Sequence, residues 1–249
     1  MVDTTGMSPE AGAATGPRLD VRRAGQRFHT RTDWLNSFHS FSFGPHYDPL
    51  NVGFSTLRVL NDDVIAPGRG FGAHPHRDME IVTWVIQGAL AHRDSSGGEG
   101  VLRPGEVQTM TAGTGIVHSE YNASATEPVH FLQMWVEPAR AGLTPRYGQK
   151  AFPEAARRGV LLPVVSNGSI EGTLPIHQDA TMFVGTFQTG QSLTHRNTVG
   201  EHSHLYVVGG QVRIGEEILR AGDAARITGR EELAIQVEAP TELVLWDLE

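Results

Sequence analysis

His74-Pro75-His76 and His118-Ser119-Glu120 are the residues in this chain best placed to do chemistry. Side chains at i and i+2 of a strand point to the same face, so each tripeptide presents a matched pair of donors. Brought together, the two pairs close a site of three neutral imidazoles and one carboxylate. Such a donor set suits a divalent first-row metal, and an octahedral ion with four protein ligands keeps positions open for substrate. The chain reads as a metal-dependent enzyme organised around the stretch from Gly68 to Asn122.

Composition narrows the alternatives. There is no cysteine among the 249 residues, which excludes disulfides, iron–sulfur clusters, thiolate zinc sites and cysteine nucleophiles. A metal must then be held by His, Asp or Glu, and twelve histidines are available. The formal net charge is −8 and no basic cluster stands out, so nucleic acid and anionic membranes are not expected partners. Lys150 is the sole lysine, a bias we ascribe to genomic base composition. No apolar run reaches the ~18–20 residues of a membrane span, and the N-terminus lacks the basic and apolar regions of a secretory signal. The expected location is the cytoplasm.

The elements that must position the two pairs read as strands. Residues 1–17 are Gly, Ala, Thr, Ser and Pro with little to bury, and are expected to form a disordered tail. Trp34 to Phe43 reads as a turn entering a strand. Strands are expected over Phe54–Leu60, Glu80–Ile86, Val107–Thr111 and Val129–Val136, with turn residues between them. Pro138–Pro153 is poor in periodicity and reads as the connection between two domains, followed by one helical turn over Pro153–Arg157. The pattern then resumes at Val160–Val165, Met182–Gln188, Leu205–Val208, Gln211–Ile214, Leu233–Val237 and Leu243–Leu248. The expected organisation is all-β, with two antiparallel barrels over 18–147 and 148–249. Pro75 lacks an N–H and has a fixed φ, so the first ligand pair cannot lie on a regular central strand.

Further polar residues have more ordinary readings. His92 and Asp94 are expected to face solvent near a turn, and His130 and Gln133 to pack in the core. Trp84 and Trp135 read as core or pocket wall. Glu80 shares the parity of 74 and 76, so parity alone leaves it open beside Glu120 as the carboxylate ligand.

Gly68-x5-His74-x-His76-x3-Glu80, closed by Gly88, resembles the first cupin motif, with one extra residue between Glu80 and Gly88. Gly113-x-Gly115-x2-His118-x3-Asn122 resembles the second, with Gly113 where proline is usual. His74-Pro75-His76-Arg77-Asp78-Met79-Glu80, Thr111–Glu120, Phe41-Ser42-Phe43-Gly44 and Tyr47-Asp48-Pro49 resemble the pirin family over most of residues 20–150, and more faintly through Ile176-His177-Gln178-Asp179. That resemblance implies a bicupin, two double-stranded β-helix barrels, with metal in the N-terminal one held by His74, His76, His118 and Glu120. Glu80 is then expected to hydrogen-bond a ligand histidine, or failing that to form a structural salt bridge. His202-Ser203-His204 repeats the His-x-His spacing, but no imidazole or carboxylate follows at the second-motif position, and no second metal is expected.

The resemblance also implies a quercetin 2,3-dioxygenase, in which the 3-hydroxyl of quercetin binds the metal, Glu120 takes its proton, and oxygen opens the heterocycle with release of carbon monoxide. The expected partners are a flavonol-like aromatic substrate and O2. Iron is placed first among the metals, with nickel, copper, cobalt and manganese as alternatives. Other pirins resemble redox-sensing regulators, and on that alternative the metal's oxidation state alters a surface for a protein partner.

Overall fold

A computed structural model describes residues 17–249, so residues 1–16 of the expected tail lie outside the described residues. The first half lays down β1 (Arg18–Arg22), β2 (Phe28–Arg31), β3 (Leu35–His39), β4 (Leu57–Ile65), β5 (Gly70–His76) and β6 (Glu80–Gln87). These continue into β7 (Leu90–Asp94), β8 (Glu99–Leu102), β9 (Glu106–Thr111), β10 (Ile116–Asn122), β11 (Val129–Val136) and β12 (Arg146–Ala151). One helical turn, α1 (Glu154–Arg157), leads to β13 (Leu162–Ser166), β14 (Leu174–Pro175), β15 (Ala180–Phe187) and β16 (Ser192–His195). The chain ends with β17 (His202–Ile214), β18 (Glu217–Arg220), β19 (Ala224–Thr228) and β20 (Leu233–Leu248).

These strands form three sheets, a seven-stranded one in the order β12-β9-β6-β11-β4-β3-β2, a four-stranded one in the order β5-β10-β7-β8, and a nine-stranded one made mainly by the second half. The seven-stranded sheet lies in the middle, and its central strands β6 and β11 are buried on both faces. On β11, Val129 and Phe131 pack toward the four-stranded sheet with Phe71 and Leu90, whereas Leu132, Met134 and Val136 pack against Val184, Val244 and Trp246 of the second half. The period of two thus feeds two cores from one strand. Trp84 is fully buried at the second of these, donating Nε1–H to Glu242 Oε1 at 2.8 Å, and Trp246 packs its indole against Met134.

The connection expected over Pro138–Pro153 contains a strand. β12 runs antiparallel to β9 with Gly148 opposite Thr109. It is an edge strand, half exposed and held by ladder hydrogen bonds, so it carries no hydrophobic alternation that sequence reading could detect. The division at 147/148 falls inside it. β1, which precedes the whole first half, pairs with β19 and so joins the second-half sheet.

Two pairs of expected strands are continuous. Leu205–Val208 and Gln211–Ile214 both belong to β17, and Leu233–Val237 and Leu243–Leu248 both belong to β20. The Gly209-Gly210 pair marks shifts of register between β17 and β20, with Gly210 at φ +88°, so it bends the strand instead of ending it.

Candidate metal centre

β5 is the edge of the four-stranded sheet, where the missing N–H of Pro75 is tolerated. His74 stands directly opposite His118 on β10, and Val117 opposite Pro75. Between His118 and Glu120 the register slips, because Gly72 and Ala73 oppose the single residue Ser119. Such a bulge re-aims side chains near functional sites. Gly70 is required here, since a Cβ would collide with the backbone of Glu120 and Tyr121. Gly113, where the cupin motif has proline, adopts φ +46°, outside the proline range.

The three histidines converge. Ring centroids lie 4.8 Å apart for His74 and His76, 4.4 Å for His74 and His118, and 4.8 Å for His76 and His118. His74 Nδ1–H donates to the Gly72 carbonyl at 2.7 Å, which leaves a lone pair on Nε2. His118 is oriented from its other side. His92 Nε2–H donates to Asp94 Oδ2 at 2.9 Å, and His92 Nδ1 faces His118 Nδ1 at 3.5 Å. Asp94 is anchored in turn by the N–H of Ser96 at 2.8 Å and of Gly98 at 3.0 Å. Burial opposes its ionisation, but hydrogen bonds from Ser96, His92 and Gly98 outweigh that and hold it below the usual carboxylate range. With His118 Nδ1–H pointing at His92, the lone pair of His118 Nε2 faces His74 Nε2 at 2.9 Å.

Two imidazole lone pairs at that separation repel each other unless a cation lies between them. The distance is close to the ~3 Å expected of adjacent ligand atoms each roughly 2.1 Å from one ion. His76 Nε2 and Glu120 Oε1 are also buried without a hydrogen-bond partner, which buried polar atoms rarely are. Burial, followed by the neighbouring His74, pushes His76 down to about 4, and burial with the neighbouring imidazoles pushes His118 down to about 2, so both are neutral donors at pH 7. The donor set therefore fits a divalent metal. Its members form two overlapping groups, His74 with His76 and His118, and His92 with His118 and Glu120, within each of which the ligand atoms lie inside 4.8 Å. His118 belongs to both.

Glu120 is buried between the four- and seven-stranded sheets, where Gln133 Nε2–H donates to its Oε2 at 2.6 Å. Burial raises its carboxyl to about 7, a shift that a cation alongside would reverse. His74 and His76 are part-exposed while His118 and Glu120 are buried, so the centre opens past β5. Trp135 forms an apolar wall there, its ring edge-on to His76 at 4.9 Å and to Phe43 at 5.5 Å.

Three expectations change. His92 and Asp94 are buried beside His118 instead of facing solvent; their own i, i+2 spacing, the same signal as in the two ligand pairs, could have placed them. Asp94→Asn is expected to weaken metal affinity by about 10–100-fold, as loss of an outer partner does, measured by competition with a chromogenic chelator. Gln133 faces Glu120, and this polar residue in an apolar strand was the available signal. His130 instead turns to Asp62 on the other face of the sheet.

Glu80 does not reach a ligand histidine. The turn at Asp78, with φ +47°, carries the chain from the four-stranded sheet to β6 of the seven-stranded one. Glu80 there accepts from Thr111 Oγ1 at 2.8 Å and lies 3.3 Å from His177 Nδ1 of the second half. The salt-bridge reading describes it better. Burial outweighs these partners and raises its carboxyl to about 7 from 4.5. Because the folded state holds that proton more tightly, the stabilisation is complete below about pH 4.5 and is lost as pH rises through 7. Glu80→Gln is expected to flatten the fall in melting temperature between about pH 5 and 8, read by calorimetry on metal-free protein.

The second His-x-His is split between different surroundings. His202 Nδ1 meets the Glu249 carbonyl at 2.8 Å, whereas His204 is buried 5.7 Å from Phe41, ring to ring.

Paired β-sheet units with His-x-His and His-x-Glu on adjoining strands make this a two-domain cupin. The family described as Pirin matches residues 20–136, and the quercetinase C-terminal cupin domain matches residues 163–248. The chain is 43% identical over 232 residues to a Mycobacterium tuberculosis protein provisionally named quercetin 2,3-dioxygenase, covering 92% of this chain and 95% of that protein. It is 40% identical over 228 residues to quercetin 2,3-dioxygenase of Escherichia coli strain K12, covering 92% and 97%. The crystal structure of YhhW from E. coli superposes with a TM-score of 0.89 at 40% identity, covering 93% of this chain and 98% of that one. A nickel(II) complex of that bacterial pirin gives 0.87 at 39% identity, covering 93% and 99%. The chain belongs to the pirin family, and its two sheet units are the two-domain pirin fold.

No helix among the described residues is long and apolar enough to cross a membrane.

Proposed function

We propose that the protein is a metal-dependent dioxygenase acting on quercetin or a related flavonol or enol, with His74, His76, His118 and Glu120 as metal ligands and Glu120 as the base. The observation that carries this reading is the convergence of unsatisfied donor atoms, with His74 Nε2 and His118 Nε2 facing each other at 2.9 Å and His76 Nε2 and Glu120 Oε1 without partners. The names borne by the E. coli and M. tuberculosis relatives support the reaction class, and the nickel complex of YhhW supports a single metal.

A divalent metal held there would supply Lewis-acid polarisation of the substrate's oxygens. The chain's own residues do the rest. Glu120 would hold the metal through Oε1 and, when that oxygen is disengaged, would take the proton of the substrate hydroxyl on it, while Gln133 holds Oε2 in place. Trp135 and Phe43 give a flat aromatic substrate an apolar surface beside His76 and limit water there.

The test is anaerobic reconstitution with iron, nickel, copper, cobalt or manganese, followed by oxygen uptake and carbon monoxide release with quercetin. Uptake that requires the metal, with carbon monoxide formed in equal amount, is the expected result. Stoichiometric metal without uptake would sink the flavonol reading and direct the search to a metal-dependent regulatory role.

A further inference from the structure

A second cluster of unsatisfied donors shares no residue with this centre. A small cleft forms where the segment 22–27, the first-half positions Ser40 and Asn51, and strands β17 and β19 of the second half meet. Arg22, Arg23, Arg27 and Arg226 all line it, and no Asp or Glu does.

Three of these arginines are already neutralised. Arg22 donates to Asp20 Oδ2 at 2.9 Å, Arg23 pairs with Glu217 and Asp223, and Arg27 donates to Asp62 Oδ2 at 2.9 Å. Arg226 is different. It is only 6% exposed, and no carboxylate among the described residues lies within ion-pair distance of it. Its Nη2 donates to the neutral amide oxygen of Asn51, and its Nε–H is buried without an acceptor. Its guanidinium carbon lies 4.8 Å from the ring centre of Phe41 and 5.9 Å from that of Phe54. Its cross-strand neighbour Asp20 is paired with Arg22, so ring faces and that shared carboxylate offset only part of the cost of burying the cation.

Two more partnerless atoms belong to the same wall. His204 is 1% exposed with Nδ1 unsatisfied, and Ser40 Oγ is buried without a partner. With His204 in its Nδ1–H form, the imidazole, the hydroxyl and the guanidinium can all donate, and no carboxylate lines the cleft to accept from them. A water molecule could accept one or two of these bonds but brings no charge. A compact anion satisfies both the charge and the donors.

We propose that this cleft is a binding site for a small carboxylate anion, held by Arg226, His204 and Ser40. A carboxylate offers two oxygens to the three donors. Because the walls come from the N-terminal segment, the first half and the second half, occupancy ties the three together and stabilises the folded chain by mass action. The inference uses no residue of the metal centre and stands or falls independently of the proposed dioxygenase activity.

The test uses the full metal-free chain. Melting temperature is followed against acetate, phosphate and chloride at constant ionic strength, and ¹³C-acetate line broadening measures binding directly. A saturable rise in melting temperature with acetate, larger than with phosphate or chloride, is expected, and Arg226→Met should abolish it. Ser40→Ala leaves the guanidinium in place and should weaken acetate binding about tenfold, the loss of one hydrogen bond to a charged partner. It keeps the question decidable if Arg226→Met does not fold. Absence of saturable acetate binding to the wild type, unchanged affinity in Ser40→Ala, or an equal response in Arg226→Met would overturn the proposal. Stronger binding of phosphate or chloride than of acetate would overturn the carboxylate assignment.

Discussion

Glu120→Gln is expected to reduce metal-dependent oxygen uptake with quercetin by roughly 10²–10⁴-fold, the usual contribution of a positioned base. The replacement keeps the size and planarity of the side chain, and its amide oxygen can still accept from Gln133 Nε2, which lies 2.6 Å from Glu120 Oε2. What disappears is the charge and the proton acceptor at Oε1. The same substitution should not harm the metal-free fold. Burial alone holds the Glu120 carboxyl up at about 7, so its ionisation above that pH works against folding, and the neutral amide avoids it. Metal-free Glu120→Gln should therefore melt at or above the wild-type temperature at about pH 8. Loss of uptake with metal content retained and melting unimpaired would assign the residue to the chemistry. Full uptake in the variant would remove Glu120 from the role of base.

His118→Ala is expected to lower metal affinity by more than ~100-fold, beyond the range seen when only an outer partner is lost. His118 is the one residue common to both groups of candidate ligands, facing His74 through Nε2 and His92 through Nδ1. Its removal takes away one donor and releases the His92–Asp94 pair from its task. Metal content after reconstitution and desalting, read by atomic emission, should fall to background. His76→Ala is the companion variant, because His76 is part-exposed and its loss disturbs packing less. His202→Ala is the control, since His202 meets the Glu249 carbonyl and not the metal centre. Wild-type metal content in His118→Ala would show that the ion is held elsewhere.

The β-branched and aromatic runs of Glu80–Gln87 and Val129–Val136 made both strands readable, because a strand buried on both faces must be largely apolar along its length. The chemistry of the centre was equally local. With no cysteine, only His, Asp and Glu could bind a metal, and the pairs 74/76 and 118/120 carry such donors at a spacing that puts each pair on one face of a strand. The absence of proline at Gly113 was visible, but its reason, a backbone at φ +46°, was not.

Other features had no local signature. β12 is held by backbone hydrogen bonds at an exposed edge, and such bonds are blind to side-chain identity. β1 joins the second-half sheet across roughly 200 residues of chain, as Arg18 opposite Thr228 shows, and no periodicity encodes so distant a partner. The carboxylate question turned on the same point. Residues 76 and 80 share parity, but the turn at Asp78 carries Glu80 to another sheet and toward His177, while the bulge opposite Ser119 keeps Glu120 beside His118. Parity is a property of one strand, and the structure placed these residues on different strands. By itself the sequence determined which donors exist, how they are spaced and that they ride on strands. Only the tertiary structure decided which of them meet, because that depends on turns, bulges and sheet order that join residues far apart in the chain.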